Sequence, residues 1–293
     1  MDIALALGGG GAKGNAHIGV LRLLEGEGFR IRAIAGTSFG GLVACFYAAG
    51  FDPADIEDKF ATVDQTRLFG RVRGESRSFL GLSRVEHWLD HTLAGRTFEE
   101  ARIPCALTAV DLRTAQEVVL QRGSMRDAIL ATIALPGIFP SFLNGELELV
   151  DGGLLNPVPV ALARSLAPWL PTVAVSLAQP LGKPPLSVSL PFVDTLPAPL
   201  AERIRGLRLT RASEIFLHAL EIGGRQIAEL RLKLEQPDIL IRPAVGAIGA
   251  LDPVDVHQVA RLGEQAARDQ LPELRRASAW PMRLRRWAFG ARA

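Results

Sequence analysis

Two glycine-rich turns near the N-terminus hold the residues best suited to chemistry in this chain. The first, at residues 8–14 (GGGGAKG), would expose backbone N–H groups, and the second, at residues 36–40 (GTSFG), would present the hydroxyl of Ser38. N–H groups aimed at one point stabilise a developing oxyanion, and an activated serine hydroxyl attacks a carbonyl carbon. Placed together, the two turns would meet both requirements of acyl transfer.

The segment around Ser38 has the G-x-S-x-G pattern of a nucleophile elbow. In such an elbow the serine occupies a tight turn between a strand and a helix, and small residues such as Gly36 and Gly40 let the two elements approach. The helix that follows would direct the positive end of its dipole towards Ser38. Because a strand-like run precedes the pattern and a helical pattern follows it, Ser38 is predicted to be a nucleophile.

The first glycine-rich turn allows three interpretations. The spacing of Gly9, Gly11 and Gly14 fits a dinucleotide-binding loop, but the second strand does not end in the acidic residue that would hold the ribose. A phosphate-binding loop needs Ser or Thr after its lysine, whereas Lys13 precedes a glycine. The favoured interpretation is an oxyanion hole formed by the amides around Gly9, Gly10 and Gly11. Lys13 could add positive charge there, or it could be only a structural or solvated lysine.

A nucleophilic serine needs a base, and two residues are candidates. His257 comes last in the chain order Ser–Asp–His of α/β-hydrolases, but it lies in what reads as an ordinary helix start. Asp151 follows a predicted strand and precedes Gly152 and Gly153, so its carboxylate is expected at the carboxyl edge of the sheet, where sites form. Burial and a short hydrogen bond could make that carboxylate a competent base, although an aspartate before glycine is also a common turn residue.

The other four histidines do not lie in turns that suggest catalysis. His17 reads as part of the first helix and is expected to be structural, and His218 lies in a long helical segment. His87 and His91 have the helical i, i+4 spacing that could bind a metal, but a third ligand is not evident in the sequence. We therefore expect neither a metal nor a cofactor at the site.

Apolar periodicity predicts the elements that position these residues. Short apolar runs predict strands, and segments with a period near 3.6 predict helices. Two strand–turn–helix units in succession favour a three-layer α/β/α fold with a mainly parallel central sheet. Predicted strands cover residues 2–7, 31–35, 104–109, 116–120, 146–150, 172–177 and 238–242. Predicted helices cover residues 15–28, 39–49, 124–132 (with Ser124 as N-cap), 158–166, 202–234 and 254–271, and residues 53–95 are helical with a break near 70–81.

The sequence suggests one domain, residues 1–271, followed by a tail. Residues 178–200 contain six prolines and are predicted to form a loop, which could be either a lid over the site or an inert surface segment. Residues 272–293 alternate arginines with tryptophan, leucine and phenylalanine. Such a basic amphipathic tail could contact an anionic membrane, or it could be a docked or poorly ordered terminus.

Composition limits the other functional classes. With 293 residues, 48% hydrophobic residues and a net charge of +2, the chain can bury a sizeable core and does not call for a nucleic-acid partner. Cys45 and Cys105 lie in apolar runs and are expected to be buried thiols. Neither a signal peptide nor an apolar run of spanning length is evident, so a cytoplasmic location is expected. Oligomeric state cannot be read from the sequence.

Three linked motifs resemble the patatin-like phospholipases, above all their small bacterial single-domain members. These motifs are the turn at residues 8–14, the elbow at residues 36–40, and the DGG sequence at residues 151–153. The likeness is close over roughly residues 2–175 and looser beyond. It extends to residues 16–21 (AHIGVL), 136–140 (PGIFP) and 154–159 (LLNPVP).

The resemblance implies hydrolysis of the acyl esters of lipids by a dyad, with Ser38 as nucleophile and Asp151 as base, and with an oxyanion hole from the glycine-rich turn. Two positions depart from the family pattern. Lys13 stands where arginine is frequent, which keeps a charge but loses a planar donor fork. Phe39 stands where methionine is frequent and could narrow an acyl pocket. Two alternatives are a Ser–His–Asp esterase that uses His257 and a non-enzymatic regulatory protein that keeps the scaffold; a nicotinamide-dependent oxidoreductase is more distant.

Overall fold

One sheet at the centre of the molecule positions the residues singled out above. The computed structural model describes residues 1–63, 81–180 and 208–277. Within these ranges eight strands form the sheet. In chain order they are β1 (Asp2–Leu7), β2 (Arg30–Thr37), β3 (Cys105–Asp111), β4 (Gln116–Leu120), β5 (Phe142–Asn144), β6 (Leu147–Asp151), β7 (Thr172–Val175) and β8 (Ile239–Ile241).

The sheet is parallel at its centre and antiparallel towards one edge. The strand order is β5-β6-β3-β2-β1-β7-β8, and β4 pairs with β3 outside this path. Strands β3, β2, β1, β7 and β8 pair in parallel, whereas β4 and β6 run antiparallel to β3. Strand β3 pairs with β2 over residues 105–108 and with β6 over residues 109–111. This register brings the carboxyl ends of β2 and β6 to the same strand.

Helices cover both faces of this sheet. In chain order they are α1 (Ala16–Gly26), α2 (Phe39–Ala48), α3 (Pro53–Ala61), α4 (Ser83–Leu93), α5 (Met125–Thr132), α6 (Val160–Leu166), α7 (Arg208–Glu235), α8 (Val256–Asp269) and α9 (Leu271–Ala277). Side chains of α6 and Leu232 of α7 pack on one face. Side chains of the remaining helices pack in the large core on the opposite face. The predicted three-layer α/β/α fold with a mainly parallel sheet is confirmed.

Alternation along β1 shows why the two helical layers differ. Ile3, Leu5 and Leu7 point to one face and belong to the large core formed with α1, α2 and α3. Ala6 points to the other face, where Ala35 and Ala174 of the neighbouring strands continue a small-residue surface. Successive side chains of a strand alternate between the two faces of the sheet. Strand β1 therefore places large side chains in the first core, and its alanine side chain lets the helix on the second face pack close to the sheet.

Several predicted boundaries differ from the observed ones for local physical reasons. Strand β5 was not predicted. It has only three residues and Leu143 is 72% exposed, so the sequence shows no alternation of buried and exposed side chains there. The predicted helix 15–28 begins instead at Ala16, after a 3₁₀ helix at Gly11–Asn15. The predicted helix 254–271 ends at Asp269, because Pro272 cannot donate the N–H that would continue it.

The predicted tail begins within a helix that packs on the core. Leu274 of α9 is 1% exposed and belongs to the large hydrophobic core, so residues 272–277 adjoin the domain. The remaining tail residues, 278–293, lie outside the described residues. The same holds for residues 181–200 of the proline-rich segment and for residues 64–80, which include most of the predicted break in the 53–95 region.

Two expectations from composition can be compared with the structure. Cys45 and Cys105 are both free and buried, as predicted. Among the helices of the described ranges, none combines the length and the apolar composition needed to cross a bilayer.

Candidate active site

Ser38 occupies a strained turn between β2 and α2. Its φ angle of 54° lies in the left-handed region, which is uncommon for any residue other than glycine. Two glycines make the turn possible, because a Cβ atom on Gly36 would overlap the backbone of Gly41, and one on Gly40 would overlap the carbonyl of Leu7. The chain therefore folds locally as the G-x-S-x-G pattern predicts, with Ser38 half-buried at the start of α2.

The hydroxyl of Ser38 donates a hydrogen bond to the carboxylate of Asp151. The Ser38 Oγ–Asp151 Oδ2 distance is 2.6 Å, although the two residues are 113 positions apart. Asp151 is the last residue of β6 and is 5% exposed. Its other oxygen, Oδ1, accepts a hydrogen bond from the Gly153 N–H at 2.7 Å. This second bond fixes the carboxylate so that Oδ2 faces the hydroxyl, within reach for proton transfer.

Burial raises the pKa of Asp151 from its ordinary value of 3.8 to about 6. The hydrogen bonds from Ser38 and the Gly153 N–H favour the ionised form and lower this pKa, but they do not offset the loss of solvation. The carboxylate is therefore ionised at neutral pH and more basic than an exposed aspartate.

The structure explains why glycine occupies both positions after Asp151. They begin a 3₁₀ helix at Gly152–Leu154. A Cβ atom on Gly152 would overlap Thr108 of β3, so only glycine allows β3 and this turn to approach so closely. Gly153 donates its N–H to the carboxylate, as described above. The DGG sequence thus combines the carboxylate with the turn that orients it.

The glycine-rich turn lies directly against Ser38, but its amides are not equally available. A Cβ atom on Gly9 would lie 3.2 Å from the Cβ of Ser38. The Gly9 N–H donates to the carbonyl of Pro157 at 2.9 Å. In the described part of the chain, the N–H groups of Gly10 and Gly11 have no hydrogen-bond partner. The amide of Gly9, one of the three predicted oxyanion donors, is therefore engaged by Pro157, whereas the amides of Gly10 and Gly11 are not engaged by the described residues.

His17 has the structural role that the sequence predicts, but its contact with the glycine-rich turn was not predicted. Its ring is fully buried, and its Nε2 lies 2.7 Å from the carbonyl oxygen of Gly8. Burial lowers the pKa of His17 to about 4, so the ring is neutral and Nε2 must carry the proton that is donated to Gly8. The available signal was a histidine at an apolar position of the helix directly after the turn.

Lys13 and Gly14 contribute to the setting of the turn in different ways. Lys13 is 7% exposed, and its Nζ lies 3.8 Å from Glu221 Oε1 of α7. Burial lowers the pKa of Lys13, and Glu221 partly opposes this effect. Gly14 lies against the ring of Phe39, where a Cβ atom would overlap the side chain. The lysine charge is thus balanced by a carboxylate, and Gly14 allows the turn to pack on the first residue of α2.

The structure does not bring His257 to Ser38. His257 lies near the start of α8, and its Nδ1 is 2.7 Å from Glu57 Oε1. Glu57 also forms an ion pair with Arg22. The histidine of the Ser–His–Asp alternative is therefore part of a network of polar side chains between α1, α3 and α8, with the buried Glu57 at its centre.

The histidine pair of α4 is also separate from these residues. His87 Nε2 and His91 Nε2 lie 3.1 Å apart on an exposed helix face. Over residues 1–63, 81–180 and 208–277, no group of three histidine, cysteine or acidic side chains is arranged to hold a metal ion.

Comparison with known proteins gives consistent matches. The model of a family described as patatin-like phospholipase matches residues 5–164. An uncharacterized NTE family protein of Mycobacterium bovis is 40% identical over 179 residues, which are 60% of this chain and 49% of that protein. Another NTE family protein, from Mycobacterium tuberculosis, is 28% identical over 92% of this chain and 46% of its own length. The chain thus spans about half the length of these relatives.

Two further matches concern activity and fold. A protein of Pyricularia oryzae named lysophospholipase NTE1 is 26% identical over 96% of this chain, which corresponds to 19% of that protein. The crystal structure of VipD from Legionella pneumophila superposes with a TM-score of 0.57 at 12% identity, covering 92% of this chain and 66% of VipD. At that identity the structural match supports the fold alone.

Proposed function

Because this chain belongs to the patatin-like phospholipase family, we propose that it is a serine hydrolase that cleaves fatty-acyl esters of lipids. The observation that carries the proposal is the 2.6 Å hydrogen bond from Ser38 Oγ to the buried carboxylate of Asp151. Hydrolysis of lipids is the general activity that the family supports, and the relative named lysophospholipase agrees with it. The dyad, the oxyanion donors and the ester specificity are our proposals.

In the first half of the reaction, Ser38 Oγ attacks the ester carbonyl carbon while Asp151 Oδ2 accepts the hydroxyl proton. The carbonyl oxygen becomes an oxyanion, which the N–H groups of Gly10 and Gly11 stabilise together with the positive end of α2. Collapse of this tetrahedral intermediate breaks the bond to the alcohol. Asp151 returns the proton to the departing alkoxide oxygen, and the acyl group stays on Ser38.

In the second half, water replaces the alcohol. Asp151 accepts a proton from the water as its oxygen attacks the acyl carbonyl carbon, and the same amides hold the new oxyanion. The bond between Ser38 Oγ and the acyl carbon then breaks, and Asp151 returns the proton to Oγ. The products are a fatty acid and the free enzyme, so each cycle consumes one water and restores both protonation states.

Covalent labelling with a fluorophosphonate probe tests the proposal directly. We expect the probe to modify Ser38, identified by peptide mass spectrometry, because the residue is half-buried rather than enclosed and its hydroxyl is paired with a base. A panel of phospholipid, lysophospholipid, glyceride and acyl-thioester substrates would then identify the preferred bond. An unlabelled Ser38 and no turnover of any of these esters would favour the non-enzymatic regulatory alternative.

Replacing His257 with alanine should leave ester hydrolysis within about threefold of the wild-type rate. His257 contacts Glu57 rather than Ser38, so the dyad mechanism does not use it. The measurement is kcat and KM on a p-nitrophenyl ester. A loss of activity comparable to removal of the nucleophile would instead support the Ser–His–Asp esterase.

Peripheral contact with the membrane is proposed for the tail on sequence grounds. Residues 278–293 contain four arginines interleaved with Trp280, Trp287 and Phe289. Each basic residue near an anionic surface contributes about 1 kcal/mol to binding. Replacing Arg283, Arg285 and Arg286 with glutamine should therefore weaken binding to anionic vesicles by at least about tenfold in a flotation assay. Equal binding of both proteins to anionic and to neutral vesicles would refute a role of these charges.

A further inference from the structure

Thr132, the last residue of α5, contacts the backbone of Ser38. The Ser38 N–H donates to Thr132 Oγ1 at 2.8 Å, and the Thr132 hydroxyl donates to the carbonyl of Thr108 at 2.7 Å. Thr132 is fully buried, so water does not compete for either bond. One hydroxyl thus joins the elbow of Ser38 to strand β3.

The elbow requires such an acceptor. Strand β2 ends at Thr37 and α2 begins at Phe39. The Ser38 N–H therefore has no backbone partner in either element and needs another acceptor. The other polar atoms of Ser38 are also engaged: its carbonyl accepts from the Leu42 N–H at 3.0 Å, and its hydroxyl donates to Asp151. Without Thr132 Oγ1, the N–H beside the reacting hydroxyl would lose its partner.

Thr132 is part of a buried network of three threonines. Thr37 Oγ1 donates to the carbonyl of Asn156 at 2.8 Å, and it lies 2.8 Å from Thr108 Oγ1. Because the Thr37 hydroxyl has only one proton, Thr108 must donate to Thr37. The network connects β2, β3, α5 and the turn after Asp151, but only Thr132 bonds to Ser38 itself.

We propose that Thr132 is a positioning residue for the nucleophile, which deepens the function proposed above and rests on it. Ser38 has a positive φ angle, a conformation that persists only where the surroundings over-determine it. Thr132 Oγ1 holds the N–H on the amino side of this strained residue, while Asp151 holds its hydroxyl. Together the two contacts keep Oγ aimed at the position of the ester carbonyl.

Substitutions that separate the hydroxyl of Thr132 from its shape test the proposal. Thr132→Val keeps the shape and removes the hydroxyl, so kcat and the rate of fluorophosphonate labelling of Ser38 should fall on the order of 10- to 100-fold, with KM changed by less than about threefold. Thr132→Ser keeps the hydroxyl and loses a methyl group that packs near Gly41, so it should retain kcat within about threefold even if its unfolding temperature falls.

Thr172→Val is the matched control. Thr172 is also fully buried, but its hydroxyl has no partner within the described residues. We expect kcat, labelling rate and unfolding temperature to match or exceed the wild-type values, because this substitution removes an unsatisfied polar group.

The inference and the proposed function fail in different ways. If the wild type is labelled at Ser38, two results would overturn the role of Thr132. One is a labelling rate in Thr132→Val equal to that of the wild type, and the other is a loss of kcat in Thr132→Ser as large as in Thr132→Val. Absence of labelling in the wild type would contradict the proposed hydrolase, and hydrogen exchange at the Ser38 amide would still decide whether Thr132 holds it. That exchange should be faster in Thr132→Val than in Thr132→Ser. If the valine variant does not fold, Thr132→Ala replaces it, since it differs from Thr132→Ser only by the hydroxyl.

Discussion

Replacing Ser38 with alanine should lower ester hydrolysis by at least about 1,000-fold while the protein still folds. The substitution removes the attacking oxygen, whereas the amides of Gly10 and Gly11 and the rest of the binding surface remain. The measurement is the initial rate on p-nitrophenyl esters and on the preferred lipid, with protein from the same preparation. Circular dichroism and an unfolding curve would establish that the fold is kept.

The stability lost in this variant should come from Asp151 and not from the backbone of residue 38. Alanine adopts the positive φ angle at position 38 at about the same cost as serine, so backbone strain is not relieved. Asp151 Oδ2 loses the donor at 2.6 Å, which costs about 1–3 kcal/mol if the carboxylate stays ionised. Loss of that hydrogen bond also raises the pKa of Asp151 further, so the cost is relieved by protonation as the pH falls.

Ser176→Ala is a suitable control for the loss of a buried serine hydroxyl. Ser176 follows β7, is 1% exposed, and its Oγ has no partner among the described residues. Its replacement should leave hydrolysis unchanged. If Ser38→Ala retained full activity, or if both variants lost activity to the same extent, Ser38 would not be the nucleophile.

The sequence predicts the central features of this site because they depend on local patterns. A strand followed by G-x-S-x-G specifies the elbow around Ser38, since glycines at both ends are needed where β2 and α2 approach. A strand followed by DGG specifies a carboxylate at a sheet edge in the same way. That the two side chains meet depends on pairing with β3. Strand β2 runs parallel to β3 and ends beside Thr108, whereas β6 runs antiparallel to β3 and ends beside Ala109. The antiparallel direction of β6 is not encoded in the DGG pattern.

Contacts between distant segments were not predictable from these patterns. The Gly9 N–H is engaged by the carbonyl of Pro157, and the Ser38 N–H by the hydroxyl of Thr132. Each bond depends on the angle at which one turn meets another, and a single residue type does not encode that angle. The short strand β5 was missed for a different reason, because an exposed strand of three residues has no hydrophobic period to detect.

Replacing Asp151 with asparagine should lower hydrolysis about as much as Ser38→Ala does. Asparagine keeps the shape of the side chain but cannot accept the hydroxyl proton of Ser38. In the wild type the rate should rise with pH through a single ionisation near the pKa of Asp151, about 6, and level off above it. The measurement is kcat/KM from about pH 4 to about pH 8, within about two units of that pKa on each side. A residual rate in the variant with the same pH dependence would show that another group is the base.

The same substitution should stabilise the folded protein at neutral pH, which follows from the sign of the pKa shift. The folded-state pKa of about 6 lies above the ordinary 3.8, so the folded protein binds the proton more tightly than the unfolded chain does. The favourable contribution of the protonated group is complete below pH 3.8 and is lost as the pH rises to about 6. A shift of about two units corresponds to about 3 kcal/mol, of which a neutral asparagine should recover about 1–3 kcal/mol at pH 8.

Asp111→Asn provides the opposite case within the same sheet. Asp111 ends β3, and hydrogen bonds from the Thr114 hydroxyl and from the N–H groups of Arg113 and Glu148 hold its pKa below the ordinary value. Its ionised form is therefore favoured by folding, and its replacement should destabilise the protein at pH 8 and matter less in acid. Denaturant unfolding of both variants at pH 8 and pH 4.5 would show whether each substitution raises or lowers the free energy of unfolding. If Asp151→Asn were instead less stable than the wild type at pH 8, burial would not be straining this carboxylate. The proposed cause of its basicity would then be wrong. Lost solvation is proposed to have two effects on Asp151: it lowers the stability of the folded protein, and it makes the carboxylate basic enough to activate Ser38.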